Sequence, residues 1–467
     1  MQARRGDAAR RDAGRKDAAR RDAARRDVGR RDAARRDAGR GFLLASAAGA
    51  LHTANAAYPL AYRGRPAIAA WAAGLTPSEL PLSHAAAHAL GAAVALRRGA
   101  ARTRAGRAGL ALSATSAAAL VALHVKARGA GAIVEAALVE ALGADYLERI
   151  AHPAWPERGA PLRRQPGGVR MLRVRRRYAH DADLPYGEFG RANYLDIWRR
   201  TDLPLDARAP VLVQVHGGAW LYGNKRGQAY PLMSHLAERG WVCVSLNYRL
   251  SPRSTWPDQI LDVKRAMAWV KTRIAGHGGD PGFVAITGGS AGGHLSALHA
   301  LTARDRLWQP GFEEVDTSVV AAAPFYGVYD WTNRDGTGGR GLVALLEERV
   351  VKVPIAAAFD VFDAASPMSH VRADVPPFFV LHGTHDTLVR VAQARAFVSL
   401  LREASTAPVG YAEFPGAQHA FDIFGSLRAD ASARAVERFF GVVYGDHLRE
   451  QARVADLGAG GKPILRG

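Results

Sequence analysis

A mostly parallel β-sheet covered by helices on both faces is the fold class predicted for the larger, C-terminal part of this 467-residue chain. Three observations predict it. From about residue 171 onward, short apolar runs alternate with helical stretches. One of those runs ends in a glycine-bracketed serine and passes directly into a helix. Two later runs each end in a polar loop, the first carrying an aspartate and the second a histidine.

The chain opens on something different. Residues 1–40 hold 15 Lys/Arg and 7 Asp, so +8 of the formal +20 charge lies there. Asp recurs at every fifth position from Asp7 to Asp37, usually after an Arg pair. Period five builds no apolar stripe on a helix or a strand, and the segment is read as a disordered basic tail. Its Asp-to-Arg spacings of three and four are nevertheless those that support a solvated helix. No zinc-finger spacing and no aromatic-studded basic strand accompanies the charge, which argues against nucleic acid as a partner. A membrane surface fits the basic balance better.

Residues 41–150 form a hydrophobic helical region read as membrane helices. Uncharged runs lie at 41–61, His84–Leu96 and Ala108–Val125, against the roughly 20 apolar residues that a bilayer needs. The basic cluster Arg97, Arg98, Arg102, Arg104 and Arg107 falls between the second and third runs. Three spanning helices then place the tail and this cluster in the cytoplasm and the following domain outside it. Arg63 and Arg65 lie on the wrong side in that arrangement. The alternative is a cytoplasmic protein with a soluble Ala-rich helical cap. The basic leader is too long for a cleaved signal peptide.

A Pro/Arg/Gly-rich linker spans 151–170, the α/β domain 171–447, and a C-terminal tail 448–467. Strands are expected at Asn193–Trp198, Val211–Val215, Trp241–Leu246, Phe283–Thr287, Val319–Phe325, Pro377–Leu381 and Val409–Phe414, with helices at Leu261–Ile274 and Gly292–Thr302. The single cysteine, Cys243, lies inside one of these runs as a small core residue, and no intramolecular disulfide is possible.

The chemistry begins at Val284-Ala-Ile-Thr287, which runs into Gly288-Gly-Ser290-Ala-Gly292-Gly293. A nucleophilic serine must project from a sharp strand-to-helix turn, and side chains two residues before and after it would collide across that turn. Glycines stand at both places. Upstream, Val211–Val215 runs into His216-Gly217-Gly218-Ala219-Trp220, where adjacent glycines let backbone amides approach a substrate. The amides of Gly217, Gly218 and Ala291 are the expected oxyanion hole, with His216 anchoring the loop. Downstream, Asp386 follows the run Phe378–Leu381, and His419 follows the run around Tyr411–Phe414. Ser290, Asp386 and His419 are thus a nucleophile, an orienting acid and a base in the chain order Ser, Asp, His, all at the carboxyl ends of strands. His294 and His299 are expected to point away, Asp363 and Asp422 are the rival acids, and Asp258, Asp262 and Asp280 read as structural carboxylates.

Together these residues resemble the hormone-sensitive-lipase-like carboxylesterases of the α/β-hydrolase superfamily. The matching text is His216-Gly-Gly-Ala-Trp220, Asn247-Tyr-Arg-Leu-Ser-Pro252, Asp280-Pro, Gly288-Gly-Ser-Ala-Gly-Gly293, His382-Gly-Thr-His-Asp386 and Gly416-Ala-Gln-His419. Many relatives carry a third glycine where this chain has Ala219, so the resemblance carries no preference for tertiary-alcohol esters. Ala70-Trp71 and Gly74–Pro81 are similar to bacterial lipase/esterases that have a hydrophobic extension before the catalytic domain.

The resemblance implies a serine carboxylesterase or lipase acting on acyl esters through an acyl-enzyme, with a small or lipid-like ester as partner and no metal or organic cofactor. Amide or peptide hydrolysis by the same triad stays open, as does, in a different class, an inert membrane-tethered binding module. The segment Trp331–Ala365, with its apolar stretch Leu342–Val353, is expected either to cover an acyl pocket or simply to pack.

Overall fold

The computed structural model describes residues 2–62, 64–152, 174, 177–303 and 305–459. The expected linker falls almost wholly at residues 153–170, outside the described residues. The chain divides into two compact units, residues 1–57 with 80–124, and residues 58–79 with 125–467.

In the first unit the Asp/Arg repeat is helical, contrary to the expected disorder. One helix runs through Gln2–Ala57. The physical reason lies in the repeat itself: Lys16 pairs with Asp12, Arg21 with Asp17 and Arg31 with Asp27, each cation one turn after its carboxylate. Further along the unit, small residues let helices approach closely. A Cβ added at Gly109 would lie 2.8 Å from the Phe42 ring, and the buried hydroxyls of Ser46 and Ser113 share a hydrogen bond of 3.0 Å. Among the described residues, only the stretch Arg104–Leu142 is long and apolar enough to cross a bilayer. The two other expected spans fall short because alanine contributes little hydropathy and His52, Asn55, His84 and His88 interrupt them.

The second unit holds the predicted α/β fold. Eight strands, β1 (Ala179–Pro185), β2 (Tyr194–Trp198), β3 (Ala209–Val215), β4 (Val242–Leu246), β5 (Gly279–Gly289), β6 (Ala321–Phe325), β7 (Phe378–Gly383) and β8 (Val409–Phe414), form one sheet. Their order is β1-β2-β4-β3-β5-β6-β7-β8. Pairs β1/β2 and β2/β4 are antiparallel, and the remaining pairs are parallel. Seven strands match the apolar runs. The edge strand β1 has no apolar run to betray it, because its sequence Ala-His-Asp-Ala-Asp-Leu-Pro carries the polar residues that protect an edge.

Alternation along the strands divides the core into two layers. Val211, Val213, Val284, Ile286 and Val380 pack on one face with the helices Asp258–Arg273, Ala291–Leu301 and Val391–Ala404. Leu212, Phe283, Ala285, Phe379 and Leu381 pack on the other with Ala130–Leu142, Tyr230–Glu238 and Leu427–Ala459. Both faces are covered by helices and buried, which is why the strands read as continuous apolar runs.

Three expected boundaries change. Residues 58–79 and 125–150, assigned from sequence to one region with the other hydrophobic helices, belong to the catalytic unit. The expected tail 448–467 is helical as far as Ala459, continuing the helix that starts at Leu427. In the Trp331–Ala365 segment, Leu346, Val350 and Phe362 are fully buried in the core, so packing is its evident role.

Candidate active site

Strand topology brings the predicted residues to one rim of the sheet. Ser290 follows β5 at its centre, the glycine loop follows the neighbouring β3, and the acid and base loops follow β7 and β8. Ser290 has φ 59° and ψ −121°, a conformation rarely adopted by a residue with a side chain. The helix Ala291–Leu301 starts immediately after it, with the His294 amide donating to the Ser290 carbonyl at 2.9 Å. The glycine requirement is steric. A Cβ at Gly288 would lie 2.3 Å from the Gly292 carbonyl oxygen, and one at Gly292 would lie 2.1 Å from that of Val215.

The acid and base are joined directly. His419 Nδ1 donates to Asp386 Oδ2 at 2.6 Å, with both residues buried. Asp386 Oδ1 accepts the backbone amides of Leu388 at 2.9 Å and Val389 at 2.7 Å. His382 lies 3.3 Å from the same Oδ2 and donates to the Val389 carbonyl. Burial by itself would raise the Asp386 carboxyl, but the charge of His419 and the hydrogen bonds from His382 and His419 outweigh it and hold the pKa down at about 2.

That depression has a measurable consequence. A carboxyl whose folded pKa lies below its unfolded value stabilises the fold above about pH 4 and loses that contribution as pH falls toward 2. Urea unfolding of the wild type from pH 6 to pH 2 is expected to lose about 2 kcal/mol more stability than Asp386→Asn loses over the same range. Parallel pH curves for the two proteins would contradict it.

The rival acid is placed otherwise. Asp422 accepts a short hydrogen bond from the Tyr326 hydroxyl, and burial pushes its carboxyl up rather than down. Asp363 is tied to Arg334 and Ser369, Asp258 and Asp262 to Arg249, and Asp280 to the Gly282 amide. His294 donates to the Ala365 carbonyl and accepts from Trp220, and His299 donates to the Thr317 carbonyl, so neither faces Ser290.

Among the described residues no hydrogen bond joins the Ser290 hydroxyl to His419. Tyr326, which sequence reasoning missed, packs against both the base and the nucleophile turn. Its ring centroid is 4.6 Å from that of His419, and a Cβ at Gly289 would lie 2.7 Å from its hydroxyl. The preceding residue, Phe325, accepts the Ser290 amide at 3.0 Å. Nucleophile–base hydrogen bonds are commonly long without substrate and tighten in the Michaelis complex. The position of Tyr326, just past the end of β6 on the same rim, was the available signal.

The glycine loop needs a correction. The Gly217 amide donates to Gln228 Oε1 at 2.7 Å and is therefore already occupied. The amides of Gly218 and Ala291 have no acceptor among the described residues. A Cβ at Gly217 would lie 3.1 Å from Ser290 Cβ, so the loop sits against the nucleophile. His216 anchors it as expected: Nδ1 donates to the Gly217 carbonyl at 2.8 Å, the ring stacks on Tyr248, and burial lowers its pKa to about 4. The segment Asn247-Tyr-Arg braces the same loop. Asn247 Oδ1 accepts the Lys225 amide, the Tyr248 hydroxyl donates to the His216 carbonyl, and Arg249 holds Asp262. Behind the nucleophile turn lies a cavity of about 10 Å³, the size of one water, lined by Gln214, Gln228, Thr287, Tyr326 and Asp422.

Comparison with known proteins agrees with this architecture. The family model described as BD-FAE matches residues 195–401. The chain is 53% identical over 405 residues to a probable carboxylic ester hydrolase, LipM, from Mycobacterium tuberculosis, covering 86% of this chain and 93% of LipM. It is 46% identical over 393 residues to the esterase LipQ of the same organism, covering 83% and 88%. A third relative there, the esterase LipC, is 44% identical over 293 residues, covering 62% of this chain and 70% of LipC. With that similarity and this fold, the chain belongs to the hormone-sensitive-lipase-like carboxylesterases of the α/β-hydrolase superfamily and is a carboxylic ester hydrolase.

Proposed function

We propose that Ser290, His419 and Asp386 are the catalytic triad, working by two-step acyl transfer on acyl esters. The observation that carries this is the buried 2.6 Å His419–Asp386 pair on the same rim as a serine held at positive φ. His419 Nε2 takes the Ser290 proton as the oxygen attacks the ester carbonyl, and the alcohol leaves with that proton. Water activated by the same nitrogen then releases the acid. Asp386 fixes the Nδ1–H tautomer and stabilises the imidazolium. The Gly218 and Ala291 amides hold the oxyanion, and the Gly217 amide joins them only when the Gln228 side chain swings away. Turnover of p-nitrophenyl esters of increasing acyl length tests the reading and sets the acyl preference. Activity equal in wild type and Ser290→Ala would refute it.

The stretch Arg104–Leu142, long and apolar enough to cross a bilayer, supports membrane association of this esterase. Sodium carbonate extraction of cell membranes tests it: the full-length chain is expected to stay in the membrane pellet, and complete release into the supernatant would contradict it.

A further inference from the structure

The triad's acid and base loops are held by a helix far upstream in sequence. Gly64–Glu79 presents one buried face, formed by Ala67, Ala70, Gly74 and Ser78 at the three- and four-residue spacing of a helical stripe, with Leu75 and Glu79 buried beside it. Polar contacts join that helix to the loops of the acid and the base along its length. The Thr387 hydroxyl, one residue past the acid, donates to the Ala67 carbonyl at 2.9 Å. One turn on, the Trp71 indole Nε1 donates to the backbone carbonyl of His419 itself at 2.9 Å. At the helix end, Arg428 forms a buried ion pair with Glu79 at 2.8 Å and donates to the Ser78 carbonyl. The same guanidinium donates to the carbonyl of Pro415, at the start of the base loop.

Within the hydrolase fold a further bridge exists: Gln418 Oε1 accepts both the Thr387 amide and the His419 amide, each at 2.9 Å. The acid and base loops are therefore pinned to one another by Gln418 and jointly to the upstream helix by Ala67 and Trp71. The His419 backbone has its amide held by Gln418 and its carbonyl by Trp71, while its imidazole is held by Asp386.

We infer that Trp71 is a positioning residue for the base: its indole N–H fixes the His419 backbone so that the imidazole meets Asp386 and faces Ser290. Trp71 touches no reacting atom, and its effect passes through the His419–Asp386 pair. The inference rests on the triad proposed above.

The test is a double-mutant cycle in the full-length chain, reading kcat, KM and the pH dependence of kcat/KM on a p-nitrophenyl ester. Trp71→Phe keeps the ring and removes the donor. It is expected to lower kcat about fivefold, the loss of one ordinary hydrogen bond, with KM within about twofold. The acid limb of kcat/KM is expected to move to lower pH, because a looser carboxylate contact stabilises the imidazolium less. In an Asp386→Asn background, Trp71→Phe is expected to have no further effect on kcat, since the pair through which it acts is already gone. Thr387→Val supplies a second, independent removal of a pin and is expected to act in the same direction.

Unchanged kcat in Trp71→Phe, or the same fivefold loss with Asp386 intact and replaced, overturns the inference while leaving the triad untouched. An Asp386→Asn variant as active as wild type overturns the triad reading itself, so the two failures are distinguishable.

Discussion

Replacing Ser290 by alanine is expected to lower ester turnover by about 10⁵–10⁶-fold with the fold intact. The hydroxyl is the atom that bonds to the acyl carbon, so no neighbouring group substitutes for it. What remains after its removal is the contribution of the oxyanion amides and of substrate positioning. Folding is expected to survive because Ser290 side-chain atoms make no hydrogen bond among the described residues, and a Cβ is already present at that turn. Steady-state p-nitrophenyl ester assays read the loss, a pre-steady-state burst present only in the wild type identifies the acyl-enzyme, and an unchanged Tm confirms the fold. Turnover within tenfold of wild type would contradict the assignment.

The second large effect belongs to the acid. Asp386→Asn is expected to cost about 10⁴-fold in kcat with a small change in KM. The carboxylate accepts from His419 Nδ1, from two backbone amides and from the neighbourhood of His382, all in a buried position. An amide oriented to satisfy the Leu388 and Val389 amides turns its NH₂ toward His419, which forces the imidazole into the wrong tautomer. Asp422→Asn is the discriminating partner. Its carboxylate touches the Tyr326 hydroxyl rather than the His419 ring, so kcat is expected to stay within about tenfold of wild type. If Asp422→Asn proved the more damaging change, the acid would have been assigned to the wrong residue.

Much of this site was legible in the sequence because its parts obey local rules. A nucleophile turn must be glycine-bracketed, since Cβ atoms at Gly288 and Gly292 would strike backbone carbonyls, and that requirement is visible one residue at a time. Strands buried on both faces read as apolar runs, which located seven of the eight and with them the loops bearing Asp386 and His419. What escaped was set by distance in the chain or by competition between weak effects. Trp71 reaches His419 across 348 positions through a single indole N–H, and no local pattern announces that. The Gly217 amide looked available because glycine is permissive, yet a glutamine eleven residues later accepts it. Edge strand β1 was hidden by its polar composition. The Asp/Arg repeat was misjudged because its period matches no apolar stripe, whereas its helix is laced by ion pairs one turn apart, each worth only a few tenths of a kcal/mol.

Stoichiometric inactivation with diethyl p-nitrophenyl phosphate, followed by peptide mass spectrometry, tests the central claim most directly. A serine activated by an oriented imidazole attacks the phosphorus and keeps the diethylphosphoryl group as p-nitrophenolate departs. One adduct per chain, on Ser290, with activity lost in proportion to labelling and no labelling in Ser290→Ala, is the predicted result. Inactivation with the adduct on another residue, or equal labelling of Ser290→Ala, would contradict it.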